Sequence, residues 1–84
     1  MFMRYTLRAE GHPVEFSIET DAARDPRDVF LALAEENGLV PGQAQSFTRQ
    51  GPPEVRTGFA GESGAATIWV PAPEEDILGL VRSA

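Results

Sequence analysis

The sequence predicts an α+β fold: a mixed sheet of four to five strands packed on one central helix, with a short C-terminal helix or tail. Three stretches carry that reading. Asp25–Leu39 (DPRDVFLALAEENGL) is the only segment with helical character from end to end. Met3–Ala9 and Val14–Thr20 alternate apolar and polar residues around a short Glu10-Gly11-His12-Pro13 linker. Ala65–Val70 (AATIWV) is β-branched and aromatic, and Pro71 stops it.

In chain order, the first strand places Met3, Tyr5, Leu7 and Ala9 on one face, and the second places Val14, Phe16 and Ile18. Two period-2 runs so close together predict an antiparallel hairpin with one buried side, with Glu15 and Glu19 set against Arg4 or Arg8. Asp25 is a helix cap, Pro26 suits the first helical position, and Asp28 complements the helix dipole. At 100° per residue Val29, Phe30 and Leu33 share a face with Ala34 at its margin, while Leu31 and Glu35 point elsewhere. Asn37-Gly38 is a left-handed stop followed by Leu39, where a hydrophobic capping contact belongs.

Beyond Pro41, Gln45–Gln50 reads as a short strand carrying Phe47. Glu54–Ala60 is half a strand or an irregular loop. Pro73–Val81 (PEEDILGLV) reads as a short helix, with proline first and three acids in the first turn, or as an extended tail.

From the helix the chain runs Gly38-Leu39-Val40-Pro41-Gly42-Gln43-Ala44-Gln45 into a strand and a glycine turn at Gly51. This exit, with the order of elements, resembles the ubiquitin-like β-grasp family, in which Gly, an aliphatic residue, Pro and a Gln-containing segment lead into the third strand. The resemblance covers residues 1–70 in arrangement, and Gly38–Gln45 in recognisable sequence. It implies that Val29, Leu33, Leu39, Phe16 and Ile18 are buried. It also implies that the first and last strands run parallel at the sheet centre, with Tyr5 or Leu7 beside Ile68. On this basis residues 1–72 form a β-grasp domain and residues 73–84 a short helix or tail. The chain ends Val81-Arg82-Ser83-Ala84, without the terminal Gly-Gly of members that are conjugated or carry sulfur. It also lacks the four cysteines of the ferredoxin branch. What the resemblance implies is therefore a non-conjugating, stand-alone bacterial-type member that docks onto other proteins.

Composition narrows the function classes. With 84 residues the chain buries roughly 60–65% of its unfolded surface, enough for one core and no deep cavity. The net charge of −6 and the absence of a basic stripe argue against nucleic acid and anionic membranes as partners. No apolar run approaches ~18 residues and no secretion signal opens the chain, so a cytoplasmic protein is expected.

Catalytic, cofactor-binding and metal-ligating residues are expected to be none. His12, the single histidine, sits in a Gly-His-Pro turn with no partners at ligand spacing. The serines lack a nucleophile-elbow context. Gly58–Gly64 lacks the Lys-Ser/Thr ending of a phosphate cradle and reads as a mobile loop. Glu35-Glu36 and Glu74-Glu75 read as solvated surface.

Recognition of another protein is what remains. If Ile68 and Val70 face the core, Trp69 faces outward and joins Phe47 in a docking patch, with Leu31 on the outer helix face as a second contact or dimer seam. Alternatively Trp69 is buried, or covered by Ile77, Leu78 and Val81. The leading expectation is an adaptor or subunit docking through an exposed aromatic sheet face. The alternative is a small acidic inhibitor or immunity-type protein blocking a basic cleft through Glu54, Glu62, Glu74, Glu75 and Asp76. A homo-oligomer is compatible with either but nothing in the sequence singles it out.

Overall fold

A computed structural model describes residues 1–59 and 64–83. Strands β1 (Phe2–Ala9) and β2 (Phe16–Asp21) lead into helix α1 (Pro26–Glu36) and a 3-10 turn at Pro41–Gln43. Strands β3 (Ala44–Gln50), β4 (Glu54–Phe59), β5 (Ala65–Val70) and β6 (Glu74–Asp76) follow, and helix α2 (Leu78–Arg82) ends the chain. The result is an α+β fold with two sheets: a four-stranded one ordered β2-β1-β3-β6, and a separate β4-β5 hairpin.

The β1–β2 hairpin forms with Tyr5 opposite Ile18 and Leu7 opposite Phe16. On its polar face Arg4 bonds Glu19 at 2.9 Å and Arg8 reaches Glu15 at 3.5 Å, the expected cross-strand pairs. Strand β2 begins two residues later than the alternation predicts, and Val14 is exposed. Beyond Leu7, β1 is committed to another partner. The amide of Glu10 donates to the Gln43 carbonyl at 2.8 Å, and Gly11, at φ 81°, takes the left-handed turn that a Cβ would strain.

Helix α1 forms as its sequence dictates. Asp25 Oδ1 accepts the Arg27 amide at 2.9 Å, and Pro26 opens the first turn. At the other end Gly38 has φ 65°, and its amide donates to Glu35 O. The Leu39 amide donates to Ala34 O, a Schellman closure that tucks Leu39 into the core. Val29, Phe30, Leu33 and Ala34 are buried against the inner sheet face, where Tyr5, Leu7, Ala9 and Phe47 meet them.

The centre of the sheet differs from the expected one. The neighbour of β1 is β3, antiparallel, with Leu7 opposite Phe47, and a bulge beside Arg8 leaves Gln45 unmatched. Every pairing in both sheets is antiparallel, so the sheet is not mixed, and β5 pairs with β4 rather than with β1. Ile68 is therefore not beside Tyr5 or Leu7. The physical reason lies in β1: a strand has two edges, and β2 takes one and β3 the other, so neither is left for β5.

The segment after Pro73 also differs. Glu74–Asp76 is not a first helical turn but an edge strand, pairing Thr48 with Asp76 and Gln50 with Glu74. Strand β3 offers an open row of backbone groups there, and the ladder continues as the Ile77 amide donates to Phe47 O at 2.7 Å. Helix α2 then starts at Leu78, whose amide donates to Asp76 Oδ1 at 3.0 Å. Ile77 and Val81 are buried in the same core as Phe47, so residues after Pro73 complete the sheet and its packing. Arg82 fastens the end of α2, donating to the carbonyls of Pro41, Gly42 and Ala44.

Candidate functional site

The β4–β5 hairpin is the feature the core does not account for. Its strands pair in register from Glu54 opposite Val70 to Phe59 opposite Ala65. Neither strand bonds to the four-stranded sheet. Period 2 gives the hairpin two faces. Val55 and Trp69 stand directly opposite one another on one of them; on the other, Arg56 stands opposite Ile68. Gly58 stands opposite Ala66, and the Ile68 side chain reaches diagonally toward it, so that a Cβ there would approach Ile68 Cδ1 to 3.0 Å.

Among the described residues no core lies beneath either face. Trp69 is 67% exposed, Val55 56% and Ile68 48%. The exposed indole expected of the last long strand is present, but for a different reason. Ile68 and Val70 do not point into a core; the whole strand stands away from one. Trp69 is not covered by Ile77, Leu78 or Val81, which belong to or pack against the core of the main sheet.

Phe47 does not belong to this surface. Its exposure is 0%, its ring stacks on Tyr5 at 5.3 Å, and Phe30 meets it edge-on at 5.2 Å. The two-residue period that turns Arg49 and Phe47 to the helix side makes it the centre of the core. Trp69 and Phe47 are therefore not neighbours on a shared patch. Leu31 is exposed on the outer side of α1, and the positions one helical turn away are Arg27, Asp28, Ala34 and Glu35, so it forms no apolar patch with them.

The acids of β6 are exposed, but two of the three are occupied. Glu75 pairs with Arg49 at 3.2 Å, and Asp76 Oδ1 accepts the Leu78 amide at the start of α2. Glu54 pairs with Arg56 at 3.1 Å on the same strand. Glu62 and the centre of the Gly58–Gly64 stretch, read as a mobile loop, lie outside the described residues; Gly58 itself belongs to β4.

Where the hairpin joins the body, Gly51-Pro52-Pro53 and Pro71-Ala72 frame a groove of about 340 Å³ floored by Met3, Arg4 and Glu19. Its two charged side chains bond to each other. Gln50 donates to Ala72 O at 2.7 Å and ties the two connecting segments together at the root. His12 rests edge-on against Phe16 at 5.9 Å in its turn. Among the described residues no group of three or more His, Cys, Asp or Glu is gathered as metal ligands would be, and no helix is long and apolar enough to cross a membrane.

Comparison with protein-family models, with curated proteins and with solved structures returns no match, so the geometry of the hairpin is what a functional reading has to work from.

Proposed function

We propose that this chain is a non-catalytic protein-interaction module, an adaptor or subunit, that docks through the β4–β5 hairpin with Trp69 at the centre of the contact. One observation carries the reading: a hairpin paired only with itself presents Val55, Ile68 and Trp69 to solvent with no core of its own beneath them among the described residues. A two-stranded hairpin is marginal by itself in water. Keeping a tryptophan and two β-branched residues exposed on one favours a role in contacts made outside the chain. Tryptophan is also the side chain most enriched where binding energy concentrates.

A ubiquitin-like kinship belongs to this proposal through the Gly38–Gln45 helix exit and the order β1, β2, α1, β3. The docking role does not depend on it, because the antiparallel β1–β3 pair stands where that family has a parallel one. The acidic-inhibitor reading is supported less, since Glu75 and Asp76 are engaged within the molecule.

The test is site-specific photo-crosslinking in the native host, with the reactive group at position 69 or, as a comparison, at position 31. Discrete protein adducts are expected at 69 and none at 31. Equal labelling at both positions, or none at 69, would end the proposal.

A further inference from the structure

Resting on the reading of the hairpin as the docking element, we infer that the outer edge of β4 pairs antiparallel with a second copy of this chain, beside the face that carries Trp69. Glu54 and Arg56 lie two residues apart on one face of that strand, their side chains 3.1 Å from each other. Two β4 strands related by a twofold axis at Val55 would set each Glu54 opposite the second copy's Arg56, and Val55 opposite Val55. Moving the axis to Arg56 sets guanidinium against guanidinium, and moving it to Glu54 sets carboxylate against carboxylate. Opposite charges directly across a ladder stabilise it and like charges oppose it, so of these three registers the charges select the one about Val55. It is also self-complementary, as a twofold interface requires.

Because Val55 is opposite Trp69 within each hairpin, the same register builds a continuous row across four strands: Trp69, Val55, the second copy's Val55 and its Trp69. Pro53 ends the ladder at the root, since it has no N–H to donate.

Sedimentation equilibrium of the full chain, up to about 100 μM, tests the pairing. Glu54→Arg alone and Arg56→Glu alone are each expected to weaken dimerisation about tenfold or more, because each places two like-charged pairs across the axis. The double variant Glu54→Arg/Arg56→Glu exchanges the charges and is expected to restore the dimer. Both side chains are exposed, and circular dichroism checks that each variant keeps its fold. A monomeric wild type, single reversals without effect, or a double variant that stays monomeric would overturn the inference. A monomeric wild type whose position 69 still crosslinks to other proteins would overturn it while leaving the docking role standing.

Discussion

Phe47 is held between two other rings, Tyr5 in parallel and Phe30 edge-on, with no access to water. Truncating it removes the buried area, both aromatic contacts and the fill between α1 and the sheet. Phe47→Ala is therefore expected to cost about 3–5 kcal/mol, a large part of what a domain this size has to lose. Urea denaturation followed by circular dichroism measures it. An unchanged midpoint would mean that Phe47 is not the keystone of the core. The contrast with Trp69 is instructive. Both are aromatic residues inside strands, and alternation alone gives each a face without saying which face is covered. For Phe47 the register with Leu7 decides. That register depends on which strand lies beside β1, a long-range fact that local periodicity does not contain.

At the scale of elements, what was legible in the sequence had local causes. The cap at Asp25, the Gly38 stop and the Val29–Leu33 face are each written in adjacent residues, and α1 follows them closely. The β1–β2 hairpin is likewise local, down to its Arg4–Glu19 and Arg8–Glu15 pairs. Glu74–Asp76 went the other way. Proline followed by acids is a good helix start in isolation, yet the open edge of β3 claimed these residues for a ladder, and the helix was delayed to Leu78. The candidate site was legible only in part: Trp69 was identifiable as a strand aromatic, whereas a hairpin separated from the main sheet leaves no periodic trace. Its independence has a consequence. Gln50 and Glu74 face each other in the β3–β6 ladder, so the chain on either side of the hairpin is already close. Replacing residues 52–72 with a short Asn-Gly turn is expected to leave a body that unfolds cooperatively near the wild-type temperature. Loss of the cooperative transition would show that the hairpin supports the core.

The whole molecule is elongated, 55 × 27 × 21 Å, with a radius of gyration of 16.6 Å. A compact domain of this length has a radius of about 12 Å. The added length fits a hairpin that is a separate two-stranded sheet and does not lie on the body. Gly51-Pro52-Pro53 and Pro71 favour that separation. Proline fixes φ and donates no ladder hydrogen bond, so neither strand extends its pairing toward β3 or β6 through the root. The shape is open to direct measurement in solution. Small-angle X-ray scattering of the Glu54→Arg variant, in which a paired second copy is disfavoured, is expected to give a radius close to 16.6 Å and an asymmetric distance distribution. A value near 12 Å would mean that the hairpin folds back and covers Trp69. The exposed face would then vanish into the molecule's own core, and with it the reason to assign this chain a docking role. An extended result would leave Val55, Ile68 and Trp69 in water, the condition on which the proposed docking role depends.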